Sequence, residues 1–138
     1  MGPKLVITSI IITAAVFAVA WVGDQTGSTL YGIPLMTAMA LGIFGVQWVG
    51  LIHARLFETE HYFDLVGSLT YVTVTILAIQ QAAEIGLRQQ IIAGVVIVWA
   101  ARLGPFLFRR IQKAGEDRRF RKIKLSTPRF LFTWTLQG

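Results

Sequence analysis

The chain has 138 residues, is 54% hydrophobic and 14% charged, and has a mean hydropathy of +0.62, whereas soluble domains carry about 25% charged residues. That deficit, with the apolar residues clumped in long uncharged runs, argues against a water-soluble domain and for spanning helices, which satisfy their own backbone N–H and C=O groups in lipid. There is no cysteine, which excludes a disulfide framework and a thiolate metal site.

The net charge of +6 is uneven. Residues 109–129 hold nine of the thirteen Lys and Arg residues and two acids, so +7, and the remainder carries −1. One basic block beside an apolar helix suits anionic lipid head groups rather than nucleic acid.

Four spans are predicted in chain order, over residues 5–22, 34–53, 65–83 and 90–108. Each is about 30 Å long as a helix, which matches the hydrocarbon core. The expected fold is all-α: a multi-pass transmembrane bundle of four helices in a single membrane domain, with a basic juxtamembrane tail over 109–129. Between the first two spans, "GDQTGSTLYGIP" has the composition of a loop; "ARLFETEHYFD" is a charged connector and "EIGLRQQ" a short turn. Lys4 precedes the first span, the first loop has no Lys or Arg, Arg55 lies in the connector, and Arg88 lies in the third turn. The positive-inside rule then puts both termini in the cytoplasm of a bacterial inner membrane or an intracellular membrane.

The first span has a rival reading as a signal peptide, because "AVA" at 18–20 resembles a cleavage site, but the apolar run is long for one. The start "MGPKLV" fails the myristoylation pattern at Val6. At the other end, residues 130–138 begin a further apolar segment too short to cross a bilayer, and the expectation is a truncated chain or an interfacial foot.

Few groups carry chemistry. Arg102 lies inside the fourth span, and an intramembrane arginine is a functional candidate. At 100° per residue Arg109 and Lys113 fall within about 20° of the same face. Gly104-Pro105 lies between them and is expected to interrupt the helix, with Pro105 freeing the carbonyl of Ala101. Two readings stay open: a phosphate-bearing ligand on the stripe, or a snorkelling anchor.

Gly115 is expected to cap this helix at its C-terminus. Beyond it, Glu116 and Asp117 are the only acids of the basic block. They pair with neighbouring arginines, or they orient Arg118 or Arg119 toward a ligand such as a nucleotide 2′-phosphate. In the connector, His53, Glu58, Glu60, His61, Tyr62 and Asp64 lack any diagnostic metal spacing, and no metal is expected; Glu58, Tyr62 or Asp64 is a possible proton donor. Hydroxyls and amides of the third span, Ser68 to Gln81, and Gln47 of the second, with the small residues Ala38, Gly42 and Gly45, suit bonds and close packing between helices or a lipid- or sterol-lined cavity.

Three stretches carry a resemblance: "FDLVGSLTYVTVTILA" at 63–78, "WAARLGPFLFRRIQKAGEDRRFRKIK" at 99–124 and "PRFLFTWTLQG" at 128–138. They resemble the uncharacterised membrane family grouped with the steroid 5-alpha-reductase C-terminal domain. The matching positions are Arg102-Leu103-Gly104, Arg109, Gly115-Glu116-Asp117, Arg119-Phe120, Phe130, Trp134 and Gln137. The resemblance implies a membrane oxidoreductase that uses NADPH to reduce a carbon–carbon double bond of a sterol-like or other lipid substrate. It implies cofactor contacts at Arg102, Arg109, Glu116, Asp117 and Arg119 and names no catalytic residue. Such proteins are expected to continue into an Asn-Pro-x-Tyr-Phe-Gly-Glu motif, which this sequence lacks, so the expectation is an N-terminal part that is inactive by itself. The alternative is a non-catalytic membrane module whose basic tail binds anionic lipid or a partner protein. A transporter subunit ranks last, since no acid lies in a span to pair with Arg102.

Overall fold

The computed structural model describes residues 2–24, 27–82, 84–115, 117, 119–123 and 125–138. The elements run α1 (Gly2–Gly23), β1 (Thr29–Leu30), β2 (Ile33–Pro34), α2 (Leu35–Leu56), α3 (Phe63–Gln81), α4 (Leu87–Ala114), α5 (Phe120–Ile123) and α6 (Thr127–Gln137). Four of these helices, α1 to α4, are long and apolar enough to cross a membrane. The chain divides into two compact units, Met1–Glu60 with Asp117–Gly138, and His61–Glu116.

In the first unit α6 packs against both α1 and α2. Its 11 residues bury Phe130, Trp134 and Thr135. The core is an aromatic set: Phe120 meets Phe130 edge-on at 6.0 Å, Phe130 meets Trp134 at 6.2 Å, and Phe17 stacks on Phe44 at 5.9 Å. Gln47 is fully buried, and its Oε1 accepts a hydrogen bond from Gln137 Nε2 at 3.1 Å. A buried amide in such a setting needs a partner, and the opposing amide supplies it. The segment expected as the start of a further apolar run is therefore a short helix built into a core.

The first loop holds a two-residue hairpin. β1 pairs antiparallel with β2, and the turn residues Tyr31 and Gly32 both have positive φ, as a type I′ turn requires. Asp24 fixes the start of α2. Its carboxylate accepts the N–H groups of Met36 (2.7 Å) and Thr37 (3.0 Å) and the Thr37 hydroxyl (2.6 Å). These are first-turn donors of α2, whose own N-cap position is Pro34 and supplies no side-chain bond.

The second unit is the antiparallel pair α3 and α4. The α4 face toward α3 is made of Ala93, Ala100, Gly104 and Ile111, all buried, with Gly67 buried on α3. Small residues let the backbones approach. The expected break at Gly104-Pro105 does not occur: α4 runs unbroken through Pro105 for 28 residues, so the basic tail begins as helix. Gly104 instead serves close packing, since a Cβ there would lie 2.5 Å from Ser68 Oγ and 2.6 Å from Ser68 Cβ. α4 ends at Gly115, which has φ 78° and donates its N–H to Ile111 O at 2.9 Å, the glycine cap read from the sequence.

The hydroxyls of α1 and α3 turn back on their own helices. Thr8, Ser9 and Thr13 donate to carbonyls four residues earlier, as do Ser68, Thr70 and Thr75, at 2.7–2.9 Å. Of the groups expected to bond across helices, Ser68, Thr70 and Thr75 thus bond within their own helix, while Gln47 bonds across to α6.

Candidate functional site

The polar centre of the first unit lies where α2 ends. α2 closes with Thr59 N–H donating to Ala54 O at 3.0 Å, and Glu58 takes the left-handed conformation (φ 49°) that glycine usually supplies. That turn aims Arg55, Glu58, Thr59 and Glu60 into a cavity of about 300 Å³, closed on the apolar side by Leu125 and Phe130. Arg55 Nη2 donates to Thr127 Oγ1 at 3.1 Å, which ties α2 to the first turn of α6.

Glu60 is 2% exposed and links this cavity to the Gly-Glu-Asp-x-Arg segment, because its Oε1 accepts the backbone N–H of Asp117 at 3.2 Å. Asp117 is itself 5% exposed. Its Oδ1 accepts Arg119 N–H at 2.9 Å, and both carboxylate oxygens take the guanidinium, through Nε at 2.9–3.0 Å and through Nη2. The Arg119 side chain remains 49% exposed. A buried carboxylate thus fixes the orientation of a guanidinium on a half-exposed side chain.

The residues singled out by the sequence fall in both units. Asp117 and Arg119 come together as described. Arg102 and Arg109 lie on α4 in the second unit, where with Arg110 and Lys113 they line an open concavity of about 540 Å³ over Ala101, Pro105 and Phe106. Glu116 lies outside the described residues, as does Arg118. Among the described residues no three His, Asp or Glu side chains are grouped to share a metal ion.

Glu60 was read from the sequence only as one acid of a solvated connector. Its burial depends on Asp117, 57 residues away, and no local signal announces such a contact.

No curated protein and no solved structure matches the chain. A family model does, over residues 50–138, which takes in the α2 terminus, the connector, the α3–α4 pair, the Asp117–Arg119 fork and α6. The chain belongs to the DUF1295 family, described as proteins of unknown function.

Proposed function

We propose that this chain is part of a membrane-embedded reductase that uses NADPH to reduce a carbon–carbon double bond of a sterol-like or other lipid substrate. The observation that carries the reading is the buried Asp117 holding the half-exposed Arg119, within a motif that resembles the steroid 5-alpha-reductase C-terminal domain. The nearby cavity offers a carboxylate acceptor, Glu58, to hydroxyl or amide donors. A nucleotide presents both kinds of group, an anionic phosphate for Arg119 and ribose hydroxyls for Glu58. NADPH, when bound, supplies the hydride. In this reading Arg119 binds the 2′-phosphate, Asp117 sets its angle, and Glu60 positions Asp117.

The test uses the full-length protein in nanodiscs, with NADPH and NADH binding measured by nicotinamide fluorescence. Arg119→Ala weakens NADPH at least about tenfold, a charge-assisted bond being worth about 1.5–3 kcal/mol, and leaves NADH nearly unchanged. Equal loss for the two cofactors removes Arg119 from the 2′-phosphate, and no binding of either by the wild type removes the reductase reading.

A further inference from the structure

The face of α4 turned away from α3 has a pattern beyond the Asp117–Arg119 pair on which the reductase reading rests. Ile91, Val95, Val98, Arg102, Arg109 and Lys113 are all exposed. On an ideal helix they fall within about 60° of one another, and the buried Ala93, Ala100, Gly104 and Ile111 lie about 180° away. One stripe therefore runs the length of the helix and changes character at Arg102, from aliphatic to cationic. In a span over residues 90–108, Arg109 lies at the cytoplasmic edge of the hydrocarbon core and Val98, about 16 Å further in, lies near its middle.

We propose that the cytoplasmic half of this stripe seats one anionic phospholipid, its phosphate among Arg102, Arg109 and Lys113 and its acyl chain running inward toward Val98. Three features fit that occupant. The concavity of about 540 Å³ is lined by four cations and no acid. Among the described residues those cations make no side-chain hydrogen bond or ion pair. Its floor, Pro105 and Phe106, is apolar and suits a glycerol backbone. Pro105 has no N–H, so the Ala101 carbonyl bordering the concavity lacks its usual helical donor. A head group that carries a hydroxyl beside its phosphate can donate there, which favours phosphatidylglycerol chemistry over a bare phosphate.

The experiment is native mass spectrometry of the full-length protein, titrated with phosphatidylglycerol or with phosphatidylcholine of the same acyl chains. The expected result is one phosphatidylglycerol bound per chain, with a preference over phosphatidylcholine on the order of a hundredfold, from about 1 kcal/mol for each basic residue near the head group. Arg109→Gln with Lys113→Gln reduces that preference by at least about tenfold. Arg121→Gln with Lys122→Gln, which removes the same charge from α5, leaves it unchanged. Equal binding of the two lipids by the wild type overturns the proposal, whether or not the variants fold. So does one-for-one displacement of the lipid by inorganic phosphate or by NADPH, which would assign the cations to a soluble phosphate.

Discussion

The indole of Trp134 rests on the backbone of Gly50. A Cβ built at Gly50 would lie 2.5 Å from Cζ3 and 2.9 Å from Cη2 of that ring. Trp134 is 1% exposed and is braced by Phe130, so it has little room to withdraw. Gly50→Ala is expected to destabilise the first unit by about 1–3 kcal/mol, the usual cost of overpacking. The apparent Tm in detergent, followed by tryptophan fluorescence, measures it, and Trp134→Leu in the same background should recover part of the loss. An unchanged Tm would mean that α6 slides to accommodate the methyl group.

Gly104 makes a similar approach to Ser68 in the second unit. The Ser68 hydroxyl is pinned by its bond to Asp64 O at 2.9 Å, and its Cβ cannot move without the backbone. Gly104→Ala is expected to cost about 1–3 kcal/mol. Ser68→Gly should relieve the Gly104→Ala variant although it is destabilising alone, so a double-mutant cycle should show strong coupling. Additive effects would place the packing contact elsewhere.

At Glu58 the prediction is a gain. An L-residue in the left-handed region costs about 1–2 kcal/mol, and glycine avoids that cost. Glu58→Gly is expected to raise stability by about 1 kcal/mol after its greater unfolded-state entropy is set against it. Glu58→Ala keeps the Cβ and should not. If the Glu58 carboxylate contacts a nucleotide, both variants weaken NADPH binding alike, so stability and binding separate the backbone role from the side-chain role.

Asp24 ties the stability of the first unit to pH. Partial desolvation pushes its carboxyl up, but the Thr37 hydroxyl and the N–H groups of Met36 and Thr37 outweigh that and hold it below the usual carboxylate range. A depressed folded-state pKa stabilises the fold above the ordinary value of about 3.9 and loses that contribution as pH falls through the folded value. Acid melting curves of Asp24→Asn should accordingly be flatter than those of the wild type below about pH 4, with a lower Tm near neutral pH. Parallel curves would mean that the cap contributes nothing.

The long helices were legible because a span is declared by composition alone: an uncharged run such as 5–22 has few alternatives in lipid. The Gly115 cap was legible for the same local reason. What escaped were features set by distant partners. Gly50 has no signature in its own neighbourhood that announces Trp134, whereas Gln47, an amide in an apolar span, was legible as a group that bonds across helices, and Gln137 is its partner. Gly104-Pro105 misled in the other direction. The pair has the composition of a helix break, but α4 continues through it, and packing on Ser68 explains the glycine.

The pairing of Gly50 with Trp134 also bears on the order of events during synthesis. α1 and α2 emerge first, but the aromatic side chains that fill the space between them belong to a segment made more than seventy residues later. The α3–α4 pair of the second unit has no such wait, because its contacts are local and form quickly. The first unit must therefore stay open while the second is made and inserted, and its buried amide at Gln47 must find interim hydrogen bonds.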